Sequence, residues 1–458
     1  MTLSVQSFQQ ALCSLATPLA DLSAVVALSG GLDSTVLLHL CRALLRDGQL
    51  QSLRAIHVHH GLNPAADSWV THIRQQCEQW CIPLTVCHVT LPSVTQNIEK
   101  HARDARYAAF EEKLEADETL LVAHHLDDQA ETLLFRLMRG TGITGLQGMP
   151  TQRPLGQARL VRPLLTFARA DIEQYADKAA LAWIEDDSND SPDFDRNHIR
   201  HKVLPLLQQR WPAVKNSLNR LAAICRDSES VLSDVAATHL RDCQSVQEVP
   251  LLGVQRLLSI DRLQTLSLPC QRLLVRHWLT VLGYPAPSEQ ILAAVLDELV
   301  MAGSDSRAEV RYGHFHICRY RHFLYAGRYW SPPCRFPAFP FSGQSVSLPG
   351  HGLLRCMTDS GVQPYRLVQP QPCLCSPRSQ VRVVPFAVRN REGRKSLKKW
   401  LHQLRVPFWL RDHLPVLHRE DQLVAVPGLL IAEQAQARTG ESGWLLHWEH
   451  PANINQTR

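Results

Sequence analysis

From Ala24 to about Glu185, the short apolar runs AVVAL, AIHVHH, LTVCHV and TLLVA alternate with segments whose apolar residues return every three or four positions, near 33–45, 97–115 and 128–139. Strand-like runs separated by amphipathic helices imply βαβ units and a parallel sheet with helices on its faces. In the first of these helices Val36, Leu37, Leu40 and Leu44 form one stripe, the spacing that packs a helix on a sheet. The charged, turn-rich stretch EDDSNDSPDFDRNHIR (185–200) closes the region, and a helical pattern without intervening strands follows to about 245. Residues 250–325 read as helices ending in the β-like run VRYGHFHICRYRHFLYA, and residues 331–372 are rich in proline and cysteine with little period. The final segment is mixed and carries the basic helix RKSLKKWLHQL (394–404), with Leu397, Leu401 and Leu404 as its apolar face. The predicted domains are therefore 1–215, a Rossmann-like α/β domain; 216–330, mainly helical; 331–372, a linker; and 373–450, a small mixed α/β domain.

Length agrees with this division, because 458 residues at a prior of ~150 per domain make about three. Hydrophobic residues at 45% and charged residues at 20% are the balance of a soluble globular protein. A formal charge of +5 permits nucleic-acid contact but is too mild to argue for it without local patches. The 13 cysteines are scattered, with no C-x-x-C spacing, which fits reduced thiols in the cytoplasm. The N-terminus has no basic leader before an apolar core, and no run approaches the ~18 apolar residues of a membrane helix. A cytoplasmic location without membrane association is the expectation.

The most informative spacing is AVVAL, then Ser29-Gly30-Gly31-Leu32-Asp33-Ser34, then a helix. Two glycines let backbone approach an anion. The hydroxyls of Ser29 and Ser34 add donors, and a helix start presents free N–H groups at its positive dipole end. Together they make a pyrophosphate cradle, in which Asp33 reads as a Mg²⁺ ligand because a carboxylate suits a hard cation. The bland alternative is a glycine turn with a polar cap. A Walker loop is excluded, since the chain has no Gly-Lys dipeptide. A second pattern, Gly140-Thr141-Gly142-Ile143-Thr144-Gly145, follows a helix rather than a strand and is not expected to open one, so it reads as a flexible loop near the site rather than a dinucleotide fingerprint.

Ala123-His124-His125-Leu126-Asp127-Asp128-Gln129-Ala130-Glu131-Thr132 follows TLLVA and runs into a helix, which puts its polar side chains at the carboxyl edge of the sheet, where ligands bind in such folds. Asp128 and Glu131, three apart, share a helix face and can hold an ammonium and accept its proton. The competing reading is a two-metal phosphohydrolase, with His57, His59 and His60 adding ligands. Asn97, Glu99, Arg103, Arg106 and Tyr107 lie on one predicted helix, and Asp195, Arg196, Asn197 and Arg200 make either a charged linker or a pocket wall. Arg389, Arg391, Arg394, Lys395, Lys398, Lys399 and Arg405 form the densest basic run, a candidate RNA-phosphate surface.

The SGGLDS loop after a strand resembles that of the N-type ATP pyrophosphatases, which cleave ATP to AMP and pyrophosphate, a group that includes asparagine, argininosuccinate and GMP synthetases. With the 124–132 motif the chain resembles the tRNA(Ile)-lysidine synthetase family, and IHVHHGLNPAADSW, NIEKHARDARYAAF, LMRGTGITGLQGM, RPLL, WIEDDSNDSPDFDRNHIR and SLKKWLHQLRVPFWLRDHLPVL agree. The likeness is strongest over 23–206, weaker over 250–330 and returns in the C-terminal segment. The resemblance implies that cytidine 34 in the CAU anticodon of a minor isoleucine tRNA is adenylated at C2 by ATP. Free L-lysine then displaces AMP, shifting codon reading from AUG to AUA.

The resemblance assigns Ser29 to Ser34 and His57 to ATP, Asp33 to Mg²⁺, and Asp33, Asp128 and Glu131 to catalysis. It assigns His124, His125, Asp127, Asp128, Glu131, Arg103, Arg106, Arg196, Lys398 and Lys399 to substrates. A transfer RNA thiolase sharing the loop is the alternative, although such enzymes usually need C-x-x-C chemistry. A non-catalytic RNA-binding protein is another, and the assembly state stays open, a homodimer included.

Overall fold

The computed structural model describes residues 2–16, 18–59, 61, 66–90, 98–185, 195–303, 307–329, 336–348, 351–359, 367–368, 373–438 and 440–450, without side chains for 98–100 and 359. His60, Asn97, the Glu99 side chain, residues 186–194 of the acidic stretch and, of the expected 331–372 linker, 331–335, 349–350, 360–366 and 369–372 lie outside the described residues. The rest of that stretch is not a linker but carries the strands Phe339–Phe341, Val346–Leu348, Gly352–Asp359 and Leu367–Val368, too short and too interrupted by proline to show a period. The chain forms two compact units, Met1–Val231 and Leu232–Arg458.

The first unit is built on β1 (Ser23–Ala27), β2 (Ser52–His59), β3 (Leu84–His88), β4 (Glu118–Leu121), β5 (Gln152–Leu155) and β6 (Ala158–Val161), in the spatial order β3-β2-β1-β4-β6-β5. All pairs are parallel except the β5–β6 hairpin. The chain leaves β1 toward β2 and β3, then returns to pair β4 on the other side of β1, with Ser23 matched to both Ser52 and Glu118. The strand order thus reverses between β1 and β4, and in open α/β sheets the crevice at that switch holds the ligand. The two motif-bearing segments are the ones that follow β1 and β4.

Helix α1 (Val5–Cys13) precedes β1, and α2 (Leu32–Arg46) follows it, with Val36, Leu37, Leu40 and Leu44 buried as their spacing predicts. Burying such a side chain stabilises the unit by about 1.5–3 kcal/mol, which fixes α2 and the loop before it. Helix α3 (Ala66–Gln79) went unread in the sequence because it buries only Ala66, Ile73, Gln76 and Cys77, too thin a stripe among polar residues. Helices α4 (Ile98–Lys113), α5 (Leu126–Met138), α6 (Ile143–Leu146) and α7 (Arg169–Lys178) complete the α/β layer. The β5–β6 hairpin also escaped detection, since its strands are four residues each and Pro154 marks an edge strand. Beyond it, α8 (Asp195–His198), a π-helical turn at Ile199–Val203, α9 (Leu204–Arg210) and the long α10 (Val214–Cys243) follow without strands.

The Gly140–Gly145 segment corrects one expectation. Gly142 is the N-cap of the single turn α6, so the segment does open a helix. It is also held, because Arg136 donates to the Gly145 and Gly148 carbonyls, both at 2.9 Å, and Arg226 to that of Gln147 at 2.9 Å.

In the second unit, Gln244–Val249, Gly253–Ser259, Phe323–Arg328, Phe315–Tyr320 and Glu309–Tyr312 form an antiparallel sheet in that spatial order. The run expected to be β holds its last three strands in sequence, Glu309–Tyr312, Phe315–Tyr320 and Phe323–Arg328. Val246 and Val254 face solvent, so the first two strands show no clean alternation. The helices Leu268–Val281 and Glu289–Ala294 pack with this sheet in one core around Trp278. The remaining strands make two further antiparallel sheets, with a core that includes Trp400 and Trp448. The basic helix covers Leu397–Gln403 and buries Leu397, Trp400 and Leu401; Trp400 takes the place expected of Leu404, which is only partly covered as the C-cap.

Candidate active site at the carboxyl edge of the parallel sheet

The loop after β1 is shaped by glycine and closed by its own serines. Gly30 has φ +89°, and a Cβ there would meet Ile184 Cδ1 at 2.7 Å and Ile73 Cδ1 at 3.0 Å. Gly31 is the N-cap of α2 and supplies no capping side chain. Ser29 Oγ and Ser34 Oγ lie 3.0 Å apart, the Ser29 amide donates to Ser34 Oγ at 3.2 Å, and Ser34 Oγ donates to the Gly31 carbonyl at 3.1 Å. The serine pair therefore ties the turn together as well as offering hydroxyls. His57 has a similar part. Its Nδ1 contacts the Leu28 carbonyl at 2.8 Å, tying β2 to the start of the loop.

Asp33, one residue into α2, has one oxygen facing nitrogen groups and one without a hydrogen-bond partner among the described residues. Oδ2 lies 3.7 Å from His125 Nε2 and 3.7 Å from Arg169 Nη1, while the buried Oδ1 has no hydrogen-bond partner among the described residues. Burial pushes the carboxyl up from its ordinary range, with His125 and Arg169 opposing. A buried orphan carboxylate oxygen at a helix start fits a divalent cation that keeps most of its other ligands as water and phosphate.

The segment after β4 delivers the second motif. His125 is the N-cap of α5: its Nδ1 accepts from the Asp128 amide at 3.4 Å, and the His125 amide donates to Asp128 Oδ2 at 3.0 Å. This capping box turns Asp128 and Glu131 onto one face, as their spacing predicts. Arg196 and Arg200 close on that face. Arg196 donates from Nε to Glu131 Oε2 at 3.0 Å and from Nη2 to Asp128 Oδ1 at 3.2 Å. Arg200 donates from Nε to Glu131 Oε1 at 2.6 Å, from Nη2 to Glu131 Oε2 at 2.9 Å and to Asp128 Oδ1 at 3.3 Å. Glu131 is only 2% exposed, so these hydrogen bonds replace the water its oxygens lose. Burial works against the Asp128 carboxylate, but His125 and Arg196 hold it below its ordinary range.

Asp127 and Gln129 serve the scaffold. Asp127 accepts the Arg169 amide at 2.9 Å and pairs with Lys215, which keeps it ionised against burial. Gln129 donates to the Met149 carbonyl at 3.0 Å and accepts its amide at 2.6 Å. Lys215 and Arg169 were not singled out from sequence. Lys215 is 88 residues from its partner with no motif around it, so only the fold reveals the pair.

Arg103 and Arg106 are exposed on α4, and the Arg103 guanidinium lies 5.6 Å from the centre of the Tyr107 ring. Lys398 and Lys399 are exposed on their helix in the second unit, whereas Arg389 bonds the Gln436 and Ala437 carbonyls and Arg394 that of Pro385. The phosphohydrolase alternative needs converging metal ligands at the sheet edge. Among the described residues the group that converges is Glu309, His316 and Cys318, in the second unit, where His316 Nδ1 meets Glu309 at 2.8 Å and Arg311 takes the other oxygen at 2.8 Å.

Residues 4–207 match the family model of the PP-loop domain, 258–325 that of the TilS substrate binding domain and 376–448 that of the TilS substrate C-terminal domain. The tRNA(Ile)-lysidine synthase of Serratia proteamaculans is 40% identical over 431 residues, 93% of this chain and 95% of its own length. That of Pseudomonas aeruginosa is 40% identical over 437 residues, 93% of each chain. The chain belongs to the tRNA(Ile)-lysidine synthase family. As a member of that family it is an ATP-dependent ligase of the PP-loop class that acts on transfer RNA. Among solved structures, a U34-tRNA thiolase of Methanococcus maripaludis is 18% identical, with a TM-score of 0.41 over 48% of this chain and 78% of that one. At that score the likeness adds nothing to the assignment. No described helix is long and apolar enough to cross a membrane.

Proposed function

We propose that this lysidine synthase adenylates C2 of cytidine 34 in the CAU anticodon of a minor isoleucine tRNA, and that free L-lysine then displaces AMP, in the cytoplasm. The cytosine C2 oxygen is a poor leaving group, so it must first be converted into a phosphate ester; attack of that oxygen on the ATP α-phosphorus, with pyrophosphate departing, does this. In the second step the lysine side-chain amine, after giving up a proton to solvent, forms the C2–N bond as the C2–O bond to AMP breaks, and the new nitrogen sheds a further proton to solvent.

The Ser29 to Ser34 loop and the start of α2 receive pyrophosphate charge on backbone N–H groups. Asp33 would hold Mg²⁺, which supplies charge neutralisation on the phosphates when bound. The observation that carries the lysine assignment is the four-part cluster of Asp128, Glu131, Arg196 and Arg200 beside that loop. Two guanidiniums and two carboxylates offer partners for both signs of charge on lysine, the guanidiniums for its carboxylate and the carboxylates for its ammonium groups. The depressed pKa of Asp128 makes it a better holder of an ammonium than a base. In this reading Arg103 and Arg106, with Lys398 and Lys399, contact the RNA, and His124 and His125 lie beside the nucleotide. A base read in this way must be unstacked, which favours a single-stranded loop.

The test is Asp128→Asn, scored separately for lysidine formation and for tRNA binding. Lysidine formation should fall by at least about 100-fold, with the tRNA Kd changed by less than about threefold. Equal losses in the two would remove Asp128 from the lysine site.

A further inference from the structure

Strands β4 and β6 run parallel with Leu121 opposite Val161, and the Val122 amide bonds the Val161 carbonyl at 3.0 Å. Their carboxyl ends therefore deliver His124 and Arg162 side by side. Arg162 is 3% exposed. Its Nε donates to His124 Nδ1 at 3.2 Å, its Nη1 donates to the Pro150 carbonyl at 2.8 Å, and the Tyr107 hydroxyl is a further partner. A guanidinium has five N–H donors and no acceptor, and it stays protonated in proteins. The His124 nitrogen facing it must therefore be the one without a proton, which leaves the proton on Nε2. Among the described residues nothing hydrogen-bonds that Nε2, and the ring is half-buried rather than sealed. Burial, with Arg162, Arg196 and Arg103 nearby, pushes His124 down to about 3 against the pull of Asp128, so the ring is neutral at physiological pH.

We infer that His124 is a neutral Nε2–H donor to an oxygen of the tRNA-bound adenylate and that Arg162 is its positioning residue, fixing the tautomer from behind. The inference rests on the ligase reading above and adds to it one oriented donor and the residue that orients it. A second-tier hydrogen bond of this kind selects which ring nitrogen carries the proton. Without it, Nδ1–H and Nε2–H forms would share the population.

The test combines kinetics with ¹⁵N spectra of histidine-labelled full-length protein, the His124 resonances being those lost in His124→Gln. The wild type should show His124 protonated at Nε2 and bare at Nδ1. In Arg162→Met that resonance should move toward a tautomer mixture, and kcat for lysidine formation should fall on the order of 10- to 100-fold with the tRNA KM changed by less than about threefold. Arg162→Lys keeps a donor and should recover part of the loss. His124→Gln, whose carboxamide N–H can occupy the Nε2 position, should retain at least about ten times the kcat of His124→Phe.

A wild-type His124 protonated at Nδ1 would overturn the proposal. So would a His124→Gln variant no more active than His124→Phe, or Arg162→Lys and Arg162→Met variants losing kcat and thermal stability together in equal measure. If Arg162→Met does not fold, the wild-type spectrum and the two His124 variants decide. A wild type that makes no lysidine would sink the ligase reading, while its spectrum would still report the tautomer.

Discussion

Two groups of basic side chains, one in each unit, do opposite things. Arg196 and Arg200, in the first unit, are turned inward onto Asp128 and Glu131, and four of their hydrogen bonds fall between 2.6 and 3.2 Å. Lys398 and Lys399, in the second unit, stand exposed on a helix whose buried face is Leu397, Trp400 and Leu401. Both sets read as charge runs in the sequence. The difference comes from what each helix has opposite it: acids from a distant segment in one case, solvent in the other. A guanidinium can fork onto two carboxylates and so be built into a site, whereas an exposed ammonium contributes to a long-range field.

The comparison breaks most sharply at Glu131. Glu131→Gln leaves two guanidiniums facing an uncharged amide in a buried place, and it should cost about 3–5 kcal/mol of stability in urea unfolding and abolish measurable lysidine formation. A loss under ~1 kcal/mol would mean the inward arginines are solvated like the outward lysines. Gly30→Ala comes next. The positive φ and the Ile184 contact should cost about 1–3 kcal/mol and weaken ATP binding, read by calorimetric titration. Tight ATP binding by that variant would show that the loop does not need the glycine conformation.

Acid should separate the two units. In the second, His413 and His450 are buried and pushed down to about 4 and about 3, below the ~6.5 of an unfolded histidine. Between those values the unfolded chain binds protons that the folded chain refuses, so stability falls as pH drops from about 6.5. The first unit has one histidine shifted as far, His124 at about 3, against these two, and its depressed Asp127 and Asp128 contribute stability that is full above their unfolded values near ~3.9 and is lost as pH falls below them. Hydrogen exchange followed from pH 7 to 4 should therefore show the second unit loosening first; the reverse order would refute the assignment. The smallest structural effect belongs to Lys398→Glu with Lys399→Glu. Stability should stay within ~0.5 kcal/mol, while the salt dependence of tRNA binding loses a slope of about 2. An unchanged slope would take these lysines off the RNA.

What could be read in advance was local. The SGGLDS turn, the α2 stripe and the Asp128/Glu131 face each follow from residues within one helix or one strand–loop–helix step, and the parallel sheet follows from their alternation. What could not be read was partnership across distance. Nothing near Lys215 names Asp127, and nothing in RPLL says that its arginine sits behind His124. The serines of the loop were read as phosphate donors, and the fold shows them also bonded to each other. The strands at Gln244–Val249 and Gly253–Ser259 were missed because two of their three valines, Val246 and Val254, point outward.

The most direct test is incubation of the full chain with α-labelled ATP, free lysine and unmodified isoleucine tRNA carrying CAU. The expected result is AMP release that depends on lysine, together with a tRNA mass gain of one lysine less one water. AMP release that ignores lysine, with no change in tRNA mass, would contradict the ligase reading.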